Sequence, residues 1–517
     1  MVVLKRLFHS SSNLLLASKH TFQLDPNYKF KCGIEIHTQL KTKYKLFSLS
    51  KTSFNESPNT NISYFDIGLP GSQPKLNPEA LLLALKAAVA LDCDISLQSK
   101  FDRKHYFYPD QPLGYQITQF YHPLAKEGRL ELDKKFDDIR QDSKIIGIEQ
   151  IQIEQDTGKL NYNKVDNIIN IDYNRSNTPL IELVTKPDFE DLLQVRAFVK
   201  KYQSLVRHLN ICTGDLETGA IRVDVNISVN GFPRIEIKNL SSHSEIQDAL
   251  KYEYTRQVSL IKQGKQNEIV QETRGWDGDK TTSLRLKENS VEYRYLPDAE
   301  LPMVNLDESI INDVKQSLSE FPEQILSKLI NQPFNLELKY ARFFIDNPVV
   351  LQYYYDLYDI VTIKNKESVN MVNNWLLHEL IGVFTKLDLK LDLDRIPASK
   401  LGDLIMFITS KQISTTSARL LLMQMIENKD NFDKSVSELI ELYDLGVPTD
   451  ISPQEFDEAV EEICHGIISD NADVVEKIKH GQKKSIKYLV GLAMRETQGK
   501  VNAKTFEDKL QEIINTL

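Results

Sequence analysis

Four short stretches of the chain put acids, amides, Arg and His at every second position, with aliphatics between them. They are Gly33–Gln39 (GIEIHTQ), Gln150–Asp156 (QIQIEQD), Arg222–Asn226 (RVDVN) and Arg234–Lys238 (RIEIK). A period of two sends successive side chains to opposite faces of a β-sheet. One face then carries Glu35, His37, Glu154, Asp156, Arg222, Asp224 and Asn226, the other Ile and Val. Ordinary half-buried strands expose Thr, Lys or Ser instead. These side chains bind metals, phosphates or a reacting carboxyl. Glu35 and His37, two residues apart on a strand, lie roughly 7 Å apart on one face, and Glu154 and Asp156 repeat that geometry. Carboxylate oxygens, completed by water and phosphate oxygens, are the shell Mg²⁺ takes. The bland alternative is a strand surface laced by salt bridges, for which Arg222, Arg234 and Lys238 are available. Four such strands together point to a concave polar surface that holds a charged ligand.

Further segments add to this. Asn174–Glu182 (NRSNTPLIE) reads as a tight polar turn entering a short apolar strand with one acid. Glu182 there is either an exposed edge residue or is paired with a cation or metal. Lys100–Asp110 (KFDRKHYFYPD) and Glu292–Asp298 (EYRYLPD) interleave charges with aromatics, a pattern that stacks on nucleobases while holding phosphate or simply packs inward. No GxxxxGK[ST] is present, so a nucleotide site here is not a P-loop. No GxSxG, HExxH or Ser/Gly-rich nucleophile loop supplies covalent amide hydrolysis. Between Lys477 and Lys504 stand eight cations against one acid, Glu496. Lys484, Lys487 and Arg495 share a helical face there, as either a solvated face or a phosphate-backbone contact.

The elements that position these residues fall into two regimes. From about 30 to 300 strand alternation, turns and a few helices succeed one another. One helix is signalled by Asn77 as N-cap and Pro78 at its first position, running to Leu91. Others are expected at about Phe189–Leu209 and Ser244–Gln263. After Pro302 helical periodicity takes over, with a linker at GVPTDISP near 446–455. At 517 residues several domains are expected. The formal charge of −10 argues against a general polyanion binder. Four scattered cysteines indicate neither a zinc site nor a disulfide framework, and no apolar run is long enough to span a bilayer. Residues 1–24 hold Lys5, Arg6, Lys19 and four serines but no acid, the pattern of a mitochondrial presequence.

In order along the chain, GIEIHTQL, KFDRKHYFYPDQPLGYQITQ, IEQDTGK, NRSNTPLIELV, IRVDVNIS, EIKNLSS, QETRGWD, VEYRYLPDAELP and KKSIKYLVGLAMRETQGKVN resemble the GatB family, the B subunit of glutamyl-tRNA(Gln) amidotransferase. With its presequence the chain resembles the mitochondrial, matrix-located form. The resemblance implies an α+β protein: presequence 1–24, an N-terminal cradle domain with an antiparallel sheet over 25–305, and all-helical domains over 306–448 and 449–517, the last contacting tRNA. It implies a glutamine-hydrolysing, ATP-dependent carbon–nitrogen ligase. ATP phosphorylates the γ-carboxyl of glutamate misacylated onto tRNA(Gln), and ammonia released by the glutaminase, the A subunit, displaces phosphate. A small third subunit, C or the fungal mitochondrial F, completes the assembly. Catalytic and Mg²⁺-binding roles fall on Glu35, His37, Glu154 and Glu182, ATP-handling roles on Asp156, Arg222, Asp224 and Asn226, and tRNA contact on Lys483, Lys484, Lys487 and Arg495. Two positions depart from the family. Gln155 stands where many relatives have an acid, which leaves the metal ligand open among Glu154, Gln155 and Asp156. Asn177 stands where relatives have Gly, and Asn tolerates the positive φ such a turn needs.

Overall fold

The computed structural model describes residues 22–105, 107–163, 165–286, 293–446, 453–479, 485–497 and 500–516. The presequence signal, most of the 446–455 linker, and Lys483 and Lys484 lie outside these residues.

A nine-stranded sheet organises the first compact unit, which ends at Ser327. Its strands are β1 (Phe30–Gln39), β2 (Asp94–Ile95), β3 (Ala125–Asp133), β4 (Ser143–Gln155), β5 (Pro179–Thr185), β6 (Ile221–Val229), β7 (Ile235–Leu240), β8 (Glu272–Trp276) and β9 (Thr281–Leu286). In space they run β9-β8-β7-β6-β1-β5-β4-β3-β2. Neighbours are antiparallel except β7 and β8, which are parallel. The alternation explains the layering. Ile34, Ile36, Ile151, Ile153, Ile181, Leu183, Val223, Val225, Ile235 and Ile237 are each at most 1 % exposed and form one core. Removing that face from water drives the sheet onto its helices.

Three helices cover or flank the sheet: α1 (Pro78–Ala90), α2 (Leu192–His208) and α3 (His243–Lys262). Asn77 caps α1 by accepting the Glu79 amide, with Pro78 at the first position as expected. α2 starts later than its apolar pattern suggests. Phe189 exchanges backbone hydrogen bonds with Cys32 of β1, so the helix begins only after the Asp191 cap. Tyr202 of α2 reaches through the core to Thr38 of β1, O to O 2.7 Å. α4 (Glu308–Ser317) packs Ile311 and Val314 with Leu85 of α1, which ties residues beyond 305 to this unit.

A smaller sheet joins Asp102–His105, Tyr115–Thr118 and Leu296–Pro297. It serves the end of β4 that β3 leaves unpaired. Gln116 Nε2 donates to the Gln155 carbonyl at 2.8 Å, and the Ile153 amide donates to Gln119 Oε1 at 3.1 Å.

The second compact unit begins at Lys328 and is helical through its described length. Its last helices bury Cys464, Leu489, Ala493, Phe506 and Leu510 in a core of their own. Together the sheet unit and the helical unit make an α+β protein. Among the described residues no helix is long and apolar enough to cross a membrane.

Candidate functional site

The register of the central strands assembles the site. On β1, His37 lies opposite Glu182 of β5 and Arg222 of β6, while Glu35 lies opposite Val184 and Asp224. Glu182 in turn faces Gln152 of β4, and Leu180 faces Glu154, so Glu154 and Glu182 are diagonal neighbours. Residues directly opposite one another share a face, so all of these side chains lie on the polar face. Two groups of potential cation ligands result: His37, Glu154 and Glu182, and Glu35, Asp224 and Glu236, each with ligand atoms within 4.8 Å of one another.

In the first group His37 Nε2 stands 3.5 Å from Glu154 Oε1 and 3.8 Å from Glu182 Oε2. Thr118 Oγ1 donates to Glu154 Oε2 at 3.3 Å, and Gln152 Nε2 donates to Glu182 Oε2 at 2.8 Å. β5 lies between β1 and β4, so Glu182 is no edge residue. The exposed-edge reading of Glu182 therefore falls.

The second group is built differently. Asn226 Nδ2 donates to Glu35 Oε1 at 3.0 Å. A bulge in β7 puts Asn239 at φ +60° and aims its amide at Asp224 Oδ1, 2.7 Å away. Lys238 Nζ lies 3.1 Å from Glu236 Oε1 and 3.6 Å from Asp224 Oδ2. Glu35 and Asp224 are like charges directly opposite across two strands, an arrangement that weakens a sheet.

Asp156 joins neither group. Arg222 Nη2 holds its Oδ1 at 3.0 Å, Arg175 lies 3.7 Å away, and Gln39 donates to it at 3.2 Å. Gln155 points to the other face, in line with Ile151 and Ile153. There its Nε2 donates to the Tyr115 carbonyl at 3.4 Å. Its Oε1 is buried with no hydrogen-bond partner among the described residues. Of the three positions left open, only Glu154 stands with His37 and Glu182. Asn177 takes φ +64°, and its Nδ2 donates to Asp66 Oδ1 at 3.0 Å. Asp66 also binds the buried Lys45 at 3.0 Å.

The sequence profile of the GatB/GatE catalytic domain matches residues 30–312, which include every residue of both groups, and a GatB domain profile matches residues 358–514. The chain belongs to the GatB family. A relative from Scheffersomyces stipitis is 66% identical over 99% of both chains, and one from Debaryomyces hansenii is 59% identical over 99% of both. One from Candida albicans is 54% identical over 98% of this chain and all of its own. Each bears the name of the mitochondrial B subunit of glutamyl-tRNA(Gln) amidotransferase.

The electrostatics of this GatB chain separate the acids. Burial, with Glu182 beside it, holds Glu154 well above the usual carboxylate range. Glu182 is lowered in spite of burial, because His37, Lys104, and hydrogen bonds with Glu154 and Gln152 favour its charge. The two shifts run in opposite directions, so the pair titrates as one unit rather than as two independent acids. Glu35 is raised by burial and by Glu182, Glu236 and Asp224, against the pull of Lys238. Asp156 is lowered in spite of burial, because Arg222 and Arg175 outweigh it.

Three residues of this face are absent from the set picked out by sequence. Glu236 and Lys238 share the polar face, but their alternation reads equally well as an ordinary ion pair. Lys104 comes from the small sheet, which no periodicity in β4 or β5 announces. It stays protonated in spite of burial through Tyr295, Glu154 and Glu182. In the helical unit Lys487 and Arg495 are exposed on the helix Ile486–Glu496, whose Leu489 and Ala493 are buried.

Proposed function

We propose that the chain is the kinase and transamidase component of a mitochondrial glutamyl-tRNA(Gln) amidotransferase. A γ-carboxylate oxygen of the tRNA-bound glutamate attacks the γ-phosphorus of ATP. The new C–O–P linkage forms as ADP leaves. Ammonia nitrogen, supplied by a partner glutaminase, then attacks the acyl carbon. The C–O bond to phosphate breaks, one proton is lost, and Gln-tRNA(Gln) results. Such a site must hold two anionic substrates together, and Lys104, Arg222 and Lys238 provide cations around the face where they would meet.

The observation that carries this reading is the His37–Glu154–Glu182 group. Two adjacent buried carboxylates are a fitting donor set for a divalent ion. Among the described residues neither makes an ion pair with a Lys or Arg side chain. Glu154 and Glu182 would be the Mg²⁺ ligands, with His37, a less favoured donor for a hard cation, as third ligand or as a phosphate hydrogen-bond donor. Glu35, Asp224 and Glu236 form an all-oxygen set that suits the same class of ion. A bound Mg²⁺ supplies charge neutralisation to the phosphates. The residues of the chain do the rest. Gln152 orients Glu182, Thr118 orients Glu154, and Arg222 with Asp156 closes the site toward Gln39.

The test uses the assembled enzyme with ammonium as nitrogen donor, so that glutamine hydrolysis is bypassed. Glu35→Gln and Glu154→Gln should each abolish ATP-dependent phosphorylation of Glu-tRNA(Gln) while leaving tRNA binding intact. Full phosphorylation by both variants would reduce the polar face to a salt-bridged surface on a protein that only binds tRNA or supports assembly.

A further inference from the structure

Beside Lys104 the charge-and-aromatic stretches build a fixed aromatic surface for which the reaction above has assigned no task. The strap at 293–298 pairs antiparallel with Asp102–His105, Leu296 opposite Arg103 and Pro297 opposite Asp102. One buried carboxylate fixes the strap and another fixes the Phe120–Tyr121 turn beside it. Asp102 accepts the amides of Phe120 and Tyr121 at 2.9 and 3.0 Å. Asp298 accepts Arg103 Nε at 2.6 Å and the amides of Glu300 and Leu301. Held this way, the rings of Phe120 and Tyr295 lie parallel, with centroids 3.8 Å apart and planes 8° from one another. Tyr121 stands edge-on to both, at 78° and 73°, and Tyr293 meets Tyr295 at 63°.

A parallel pair walled by edge-on rings leaves a flat π face on which a third planar ring can continue the stack. Phe120 remains 45% exposed and Tyr121 51%, and contiguous exposed aromatic surface marks a binding surface more often than idle solvent contact. Lys104 Nζ lies 4.7 Å from the Tyr293 ring centroid. The same ammonium is close enough to Glu154 and Glu182 to interact with their charges. A ligand that lays a flat ring on this surface and extends an anionic group past Lys104 is a nucleotide.

We propose that Phe120 and Tyr295, with Tyr121 as a wall, seat the adenine ring of an adenosine whose charged end extends to the Glu154–Glu182 group. This rests on the function proposed above, whose substrates carry two adenosines: that of ATP and the 3′-terminal nucleoside of the tRNA, which bears the glutamate. Stacking tolerates any base, so the choice of adenine comes from the reaction, while the seat comes from the rings.

Phe120→Leu and Tyr295→Leu remove the π face, and Tyr295→Phe keeps it. In the assembled enzyme, with ammonium as donor, the KM for ATP and the KM for Glu-tRNA are measured separately. The Leu variants should raise one of them roughly ten-fold or more, with kcat within about two-fold, and Tyr295→Phe should match the parent. A rise in the ATP constant assigns the seat to ATP, and a rise in the tRNA constant assigns it to the terminal adenosine. Binding of 2-aminopurine riboside triphosphate, or of tRNA ending in 2-aminopurine, should quench fluorescence in the parent and not in the Leu variants. Unchanged constants and unchanged quenching would overturn the proposal, as would a loss confined to assembly of the complex. If the parent itself phosphorylates no Glu-tRNA the functional reading falls, whereas the quenching experiment still decides the seat.

Discussion

Glu154→Gln tests the polar face through stability as well as through chemistry. Ligand atoms of Glu154, Glu182 and His37 lie within 4.8 Å of one another, and the two carboxylates are only 3% and 15% exposed. Two full charges at that distance repel by roughly 3–4 kcal/mol at an effective dielectric of about 20. Burial and this repulsion hold Glu154 well above its ordinary value. Over the pH range between those two values the folded chain keeps a proton that the unfolded chain has lost. Stability therefore falls as pH rises from the ordinary Glu value through the elevated one. Gln at 154 removes the charge and keeps an oxygen to accept from Thr118.

Without divalent ions at pH 8 the variant should be about 1–3 kcal/mol more stable than the parent, since His37 and Lys104 offset part of the repulsion. That amounts to a rise of roughly 2–6 °C in the melting midpoint for a unit of this size. The difference should shrink toward pH 5. Millimolar Mg²⁺ should raise the parent's midpoint and leave the variant's nearly unchanged. Thermal melts from pH 5 to 8, in EDTA and in MgCl₂, read all of this without an activity assay. A variant less stable than its parent at pH 8 in EDTA would refute the reasoning, because Glu154 would then already be neutralised from within the protein, with Lys104 the available cation.

The Asn177 turn gives a second test. Asn177→Gly keeps φ +64° accessible and loses one hydrogen bond to Asp66, which Lys45 and the Ser63 amide still serve; urea unfolding should show a loss of about 1 kcal/mol or less. Asn177→Ala adds left-handed strain and should lose about 2–3 kcal/mol, and equal losses for the two variants would remove φ as the reason for Asn here. In the helical unit, Lys487→Glu with Arg495→Glu should weaken tRNA binding and lower its salt slope by about one for each phosphate the helix no longer neutralises. An unchanged slope would return this helix face to the solvent.

The face of each strand was legible because period two needs no partner. Glu154 and Asp156 have one parity and Gln155 the other, so alternation alone turns Gln155 away from His37. The Asn77 cap of α1 was equally local. Register was not local. Nothing near Glu182 states that β5 lies between β1 and β4, so an acid in an apolar run read as well for an exposed edge as for the heart of the site. Lys104 was hidden for the same reason: it reaches Glu154 through a separate small sheet, and sequence patterns say little about which surface such a sheet covers.

Along β1 the two acid groups differ in a way that bears on which needs an ion from solution. Glu35 belongs to a group with its own cation, Lys238, within 3.6 Å of both Glu236 and Asp224. His37, one step further along the same face, belongs to a group with no Lys or Arg in ion-pair contact among the described residues. An added divalent cation relieves more repulsion at the second than at the first, where it must also displace or share with an ammonium. The sheet tolerates both because its opposite face is so thoroughly buried. Ile34 and Ile36 flank Glu35 and His37 at 1% and 0% exposure, each contributing on the order of 1.5–3 kcal/mol. Together they are of the same order as the repulsion within one like-charge pair. The same alternation that marks the strand in the sequence thus supplies the stability that lets its other face remain crowded with charge.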